Sequence, residues 1–319
     1  MRWSEAQRKG TGVTNKPNDP AVERVVVPRT HDLGDGFEVR RALPSVQRRM
    51  VGPFVFLDQM GPSVLGAGHG LDVRPHPHIG LSTLTWLLDG EIVHRDSLGV
   101  VQPIRPGEVN WMTAGRGIVH SERSAAQARA VDQRLFGLQC WVALPKAQEE
   151  REPGFAHLRA DELPREEGEG VRATLVAGEF FGKRSPVETF SALCYVDVRL
   201  SPGARLAVPA LYPEQALYVV DGRLDLGHDG VHEAGRLLVI RPGAALDLRG
   251  AGPGDTRVML LGGEPMDGPR YLSWNFVASS AERIEQAEDD WRAGRFAAVP
   301  GETEFIPLPV REGKPARYP

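Results

Sequence analysis

The sequence predicts an all-β chain made of two similar β-barrels, and three observations carry that prediction. First, 36 glycines and 26 prolines in 319 residues interrupt the chain too often for long helices and suit many short strands joined by turns. Second, apolar residues alternate with polar ones in stretches such as Phe37-Glu38-Val39-Arg40-Arg41-Ala42-Leu43, the two-residue period of a half-buried strand. Third, the second half echoes the first. Ala216-Leu217-Tyr218-Val219-Val220-Asp221-Gly222-Arg223-Leu224 follows the pattern of Leu84-Thr85-Trp86-Leu87-Leu88-Asp89-Gly90-Glu91-Ile92, and Ile240-Arg241-Pro242-Gly243 repeats Ile104-Arg105-Pro106-Gly107 letter for letter. Such self-similarity marks a duplicated unit.

Taken in order, residues 1–20 read as a flexible tail, because Lys9-Gly10-Thr11-Gly12 and Asn15-Lys16-Pro17-Asn18-Asp19-Pro20 are rich in breakers. Val22 to Val27 and Phe37 to Leu43 are strands, Val51 to Met60 is a more fully apolar strand, and Gly61 to Gly70 is a loop. Pro75 and Pro77 disfavour helix in the residues before them and bring no N–H to a ladder, so Arg74 to His78 belongs at a strand edge. Leu81 to Leu88 ends in the hairpin signal Asp89-Gly90, and Glu91 to Asp96 returns from it. Arg105-Pro106-Gly107 turns again, and Trp111 to Gly117 leads into Ile118 to Glu122. Leu135 to Leu144 is a strand covered on both faces.

From Lys146 to Gly170 the composition shifts to Glu, Arg, Gly and Pro, which places the linker between halves there. Ser279-Ser280-Ala281-Glu282 fits a capping box, with Ile284, Ala287 and Trp291 on one side and Gly294 as the stop, so a short helix packs a barrel face. The last stretch, Pro300 to Pro319, carries five prolines and reads as an extended tail. The expected division is therefore a tail over 1–20, a metal-binding barrel over 21–150, a metal-free barrel with the helix over 151–299, and a tail over 300–319.

The formal net charge is −4 with no concentrated basic patch, which argues against direct nucleic-acid binding. No stretch has the length of a membrane span, and Met1 to Pro20 lacks the apolar run of a secretory signal. Cys140 and Cys194, each inside an apolar run, read as reduced and buried thiols of a cytoplasmic protein.

The chemistry is concentrated between Arg74 and Glu122. His76 and His78 form one pair two residues apart, and His120 and Glu122 form another, so on extended backbone each pair projects from one face. A single buried histidine is usually only a hydrogen-bonded core residue. Two same-face pairs in a strand-rich context point to a metal site of three imidazoles and a carboxylate. That donor set suits divalent iron, manganese, nickel, cobalt, copper or zinc, and spacing does not choose among them. In the second half Pro209 and Leu211 stand where the first has His76 and His78, Leu246 lies near the position of His120, and His228 and His232 read as solvent-exposed. Only the first half is expected to bind metal.

These residues resemble the pirin family of the cupin superfamily. The resemblance is carried by Arg74-Pro75-His76-Pro77-His78-Ile79-Gly80, Asp89-Gly90-Glu91, His94-Arg95-Asp96-Ser97-Leu98-Gly99, Arg105-Pro106-Gly107, Trp111-Met112-Thr113-Ala114-Gly115-Arg116-Gly117 and His120-Ser121-Glu122. Weaker matches lie in Phe37 to Pro44, Val51-Gly52-Pro53-Phe54, Asp58-Gln59-Met60 and Asn275-Phe276-Val277. It implies a bicupin of two jelly-roll-like barrels with a divalent cation, expected to be Fe(II), on His76, His78, His120 and Glu122 of the first. Ser82 stands where many cupins place a ligating Glu, so Glu122 has to supply the carboxylate. The resemblance further implies a quercetin 2,3-dioxygenase-type activity on a flavonol-like aromatic substrate with O2, in which Glu122 also takes the hydroxyl proton. Trp111, Met112 and Ile118 are then candidate pocket walls, and His94 a candidate for orienting a ligand. The alternative it carries is a non-catalytic, metal- or redox-dependent protein that binds and regulates a transcription factor or a metabolic enzyme.

Overall fold

The computed structural model describes residues 20–32, 38–310 and 313–319, so the expected N-terminal tail, apart from Pro20, lies outside the described residues. The chain divides into two compact units. One, here the first barrel, is built on Thr30–Arg41, Val55–Ala160 and Met266–Pro319; the other, the second barrel, on the segment up to Arg29, Ala42–Phe54 and Asp161–Pro265.

The first barrel has a seven-stranded sheet in the order Gly154–Leu158, Val109–Thr113, Leu81–Asp89, Gln133–Ala143, Phe54–Leu65, Glu38–Leu43, Arg29–Asp32. Its four-stranded sheet runs Asp72–His78, Ile118–Arg123, Ile92–Asp96, Val101–Ile104. In the second barrel the long sheet follows Val22–Val26, Arg236–Ile240, Glu214–Asp221, Thr256–Gly263, Leu193–Leu200, Val171–Phe180, Arg165–Gly168, and the four-stranded sheet runs Arg205–Val208, Leu246–Gly250, Arg223–Asp225, Val231–Glu233. The two orders correspond strand for strand, apart from the short Lys183–Arg184, which pairs with Val171–Phe180 in the second barrel alone. Each barrel is an all-β cupin fold.

The centre of each long sheet shows why the sequence folds this way. Leu81–Asp89 is buried through Leu87, and Glu214–Asp221 is buried from Gln215 to Val220. Trp86 and its counterpart Tyr218 are each all but inaccessible. Both strands turn at a glycine with positive φ, Gly90 at 89° and Gly222 at 75°. At Gly90 a Cβ would sit 2.2 Å from the Arg134 carbonyl oxygen, so no side chain fits that turn.

Four sequence expectations change. The letter-for-letter repeat is not a structural repeat: Arg105-Pro106-Gly107 precedes Val109–Thr113, whereas Arg241-Pro242-Gly243 follows Arg236–Ile240, the strand equivalent to Val109–Thr113. The loop expected from Gly61 begins later, because Phe54–Leu65 continues with exposure alternating residue by residue from Gly61 to Leu65. The charged stretch from Lys146 to Gly170 is not a bare linker. Gly154–Leu158 pairs with Val109–Thr113, and Arg165–Gly168 pairs with Val171–Phe180. An edge strand needs only its backbone to close a sheet and can leave its charges in water.

The expected division at 150/151 is crossed at both ends of the chain. Val22–Val26 closes the second barrel's sheet on Arg236–Ile240, while everything after Met266 belongs with the first. The helix Ala281–Arg292 buries Ile284 and Ala287 against Ile79, Phe276 and Ala278. Its cap is Ser280, whose Oγ accepts from the Arg283 N–H at 3.2 Å, and Ser279 instead donates its N–H and hydroxyl to Glu149.

Candidate metal centre

The ligand strands lie side by side in the four-stranded sheet of the first barrel. Asp72–His78 is an edge strand there, which its two prolines require, and pairs antiparallel with Ile118–Arg123. The register sets His76 directly opposite His120 and His78 opposite Ile118. Because side chains alternate, His76, His78 and His120 all project to the barrel interior. Their ligand nitrogens come within 4.8 Å of one another, with ring centroids 4.4 to 5.0 Å apart. All three rings are buried.

Hydrogen bonding fixes which nitrogen of each ring is free. His76 Nδ1 lies 2.9 Å from the Arg74 carbonyl oxygen and His78 Nδ1 3.1 Å from that of Asn275, so in both rings Nδ1 carries the hydrogen and donates. The partner of His120 is His94. His94 Nε2 is 3.0 Å from Asp96 Oδ2, a carboxylate oxygen that accepts, so a neutral His94 presents a bare Nδ1. His120 Nδ1 stands 3.4 Å from that atom and donates to it. Three Nε2 lone pairs are thereby left facing inward.

That arrangement could hold a cation. His78 Nε2 and His120 Nε2 lie 3.1 Å apart, yet neither has a hydrogen to give the other. Two nitrogens bound to one ion at about 2.1 Å, at angles between octahedral and tetrahedral, stand about 3.0 to 3.4 Å apart. Burial also keeps the rings uncharged, as ligands must be. Desolvation holds His76 down at about 4, and desolvation reinforced by the neighbouring imidazoles holds His78 and His120 well below the usual range.

Glu122 stands apart from the three. A bulge after His120 shifts it opposite Val73 on one side, while on the other it faces His94. Its carboxylate is outside the 4.8 Å group, and Thr85 Oγ1 approaches it at 3.4 Å. Desolvation pushes its carboxyl above the ordinary carboxylate range, opposed by His94 and Thr85. Ser82, at the position of the ligating Glu of many cupins, shares a hydrogen bond with Thr113 at 3.2 Å.

Sequence comparison agrees with the geometry. Residues 36–142 match the family described as Pirin and residues 195–297 the Pirin C-terminal cupin domain. A pirin-like protein of Caulobacter vibrioides is 50% identical over 292 residues, which cover 90% of this chain and 99% of that protein. The chain belongs to the pirin family. Human pirin is 30% identical over 274 residues, covering 84% of this chain and 90% of the human protein. A crystal structure of a quercetin 2,3-dioxygenase from Acinetobacter baumannii superposes with a TM-score of 0.84 at 35% identity, covering 92% of this chain and 97% of that one.

Several residues of this pirin's site escape a reading of the sequence. Trp141 sets its edge on His78 with ring centroids 5.1 Å apart and is itself stacked on Phe56 at 4.0 Å. Phe155 stacks on His94 at 4.5 Å, from within the stretch expected to be linker. Asn275 reaches His78 from 197 residues away. Two left a signal: Asp96 in its two-residue spacing from His94, and Asn275 in the family match Asn275-Phe276-Val277. The expected walls Trp111, Met112 and Ile118 are buried, but the rings set against the imidazoles are Trp141 and Phe155. In the second barrel His228 is exposed, whereas His232 is half-buried, correcting the expectation for it. Among the described residues no helix is long and apolar enough to cross a membrane, and Cys140 and Cys194 are both buried.

Proposed function

We infer that this pirin is a metal-dependent dioxygenase that opens a flavonol-like aromatic substrate with O2, with Fe(II) held by His76, His78, His120 and Glu122. One observation carries the reading above the rest: three buried imidazoles bring their ligand nitrogens within 4.8 Å of one another. The likeness to the quercetin 2,3-dioxygenase of Acinetobacter baumannii supports the substrate class. When bound, the metal would acidify a substrate hydroxyl and supply the redox chemistry with O2.

The chain's own residues do the rest. Glu122 is the proton acceptor; desolvation raises its carboxyl above the ordinary range in the metal-free protein, a shift that a bound cation would oppose. The Thr85 hydroxyl has a closer partner in Gln139 Oε1, at 2.8 Å, than in Glu122 Oε1, at 3.4 Å, so it leaves that carboxylate free to take a proton. Trp141 and Phe155 line the imidazoles with apolar rings and keep water from them.

The test is aerobic incubation of the iron-loaded protein with quercetin, following loss of flavonol absorbance and release of carbon monoxide. The expected result is turnover that needs metal and vanishes in His76→Ala while that variant stays folded. Absence of metal-dependent turnover overturns the dioxygenase reading and leaves a non-catalytic protein whose metal governs binding to a transcription factor or metabolic enzyme.

A further inference from the structure

Pro75 and Val119 each precede a histidine of the centre, so alternation turns them to the opposite face of the same two strands. There they line a cavity of about 570 Å3, together with the segment from Trp291 to Leu308. That segment is fastened to the back of the sheet. The Ile306 N–H donates to the Pro75 carbonyl at 2.8 Å, and Trp291 Nε1 donates to the Ile306 carbonyl at 3.0 Å. Glu302 accepts from the Ser121 hydroxyl at 2.5 Å and from Arg123 Nη2 at 2.6 Å.

The lining is aromatic. Phe296 and Phe305 both stand edge-on to Trp291, with centroids 5.8 Å away and interplanar angles of 79° and 86°. Phe305 is 57% exposed, an aromatic side chain held in place without being buried. The charges on the lining are already matched within the chain. Glu302 and Glu304 pair with Arg123, and Arg292 pairs with Glu288 and Asp289. An ionic ligand would have to displace one of these partners; an uncharged flat ring would not. The volume lies in the range of about 300 to 1,000 Å3 typical of small-molecule sites.

We propose that this cavity is a second small-molecule site, separate from the metal centre, that takes an uncharged planar aromatic compound against Trp291, Phe296 and Phe305. The test uses the neutral fluorescent probe N-phenyl-1-naphthylamine on the full chain, metal-free and metal-loaded. Both forms should show saturable fluorescence enhancement at one site per chain. Phe305→Ala should weaken binding about tenfold. Ala298→Trp, which puts a ring into the cavity from an exposed lining position, should abolish it with the melting temperature unchanged. His76→Ala should leave it intact.

Probe binding that never saturates, or that ignores both cavity variants, overturns the proposal. Loss of probe binding in His76→Ala also overturns it, by placing the probe in the metal centre. Self-association in sedimentation that Ala298→Trp blocks would give the cavity to a second copy of the chain instead. Because the metal-free protein is assayed, the result does not depend on whether the dioxygenase reading holds.

Discussion

The two barrels share a strand order and differ in what they put inside it. In the first, His76 faces His120 and Glu122 faces His94. In the second, Leu206 faces Leu248 and Gly250 faces Leu224 at the equivalent points of the equivalent sheet. Val208, opposite Leu246, takes the place of His78, opposite Ile118. On the long sheets Thr85 lies opposite Gln139 where the second barrel has Leu217 opposite Leu260. These register pairs correct the sequence-based counterparts Pro209 and Leu211, which lie beyond the end of Arg205–Val208. The replacing leucines and Val208 all belong to one continuous buried cluster. The fold accepts an imidazole, a leucine, a valine or, at Gly250, no side chain at all at these points; the chemistry depends wholly on that choice.

The largest effect should come from erasing the difference. His120→Leu gives the first barrel the residue its counterpart carries, and metal content should fall from about one ion per chain to none. The metal-free variant should melt within a few degrees of the metal-free parent, since leucine removes an imidazole crowded against others and fills the site with apolar atoms, while His94 Nδ1 loses its donor. Metal analysis and calorimetry on the same samples check both halves. A large drop in melting temperature would show that the imidazoles support the fold and would break the comparison.

The reverse exchange should be purely destructive. Leu248→His places one imidazole in the continuous apolar cluster to which Leu248 belongs. The expected loss is about 2–4 kcal/mol of stability with no metal gained, read from denaturant melts. If that variant binds metal, the second barrel is closer to a site than its leucines indicate.

A smaller effect tests the chain of contacts behind His120. Asp96 Oδ1 accepts from the Leu98 and Val100 N–H groups at 2.9 and 3.1 Å, while Oδ2 faces His94 Nε2. In Asp96→Asn the amide oxygen keeps the backbone bonds and the amide NH2 turns to His94, which must then accept at Nε2 and carry its hydrogen on Nδ1. His120 can no longer donate there, and its own hydrogen moves to the Nε2 that should meet the metal. Metal affinity should fall about 10- to 100-fold with the fold intact. Unchanged affinity in a competition titration would remove His94 and Asp96 from the site.

How much of this was legible in the chain follows from what a linear pattern encodes. The two-residue period puts His76 with His78, and Pro75 and Pro77 imply the edge position, because both patterns are local; the same period set Glu122 beside His120, and a bulge that no local pattern encodes leaves its carboxylate outside the group. Letter identity does not encode hydrogen-bond register, so the repeated Ile-Arg-Pro-Gly suggested an alignment that the ladders reject. Partners supplied by backbone from far away leave no trace in periodicity or spacing, as with the Asn275 carbonyl on His78. The helix illustrates the same limit. Its position and its buried stripe of Ile284 and Ala287 were readable, but the cap falls one residue past the expected box, on Ser280, and nothing in the stripe says that Ile79 and Phe276 complete the cluster.

The mildest way to sharpen the contrast between barrels is acid. In the metal-free protein His76 is held down at about 4, and His78 and His120 well below the ordinary value, chiefly by burial. The unfolded chain restores these histidines to about 6.5. Between those values the unfolded state binds more protons than the folded one, so stability is full above about pH 6.5 and declines as the pH falls toward 4. The inward positions of Leu246–Gly250 hold no such group. Hydrogen exchange should therefore show amides of Ile118–Arg123 losing protection across this window while those of Leu246–Gly250 keep theirs. Bound metal, which requires the same rings deprotonated, should move the onset to lower pH. Equal loss in both strands would mean that acid acts through charges elsewhere, and that the buried imidazoles do not set the first barrel's sensitivity.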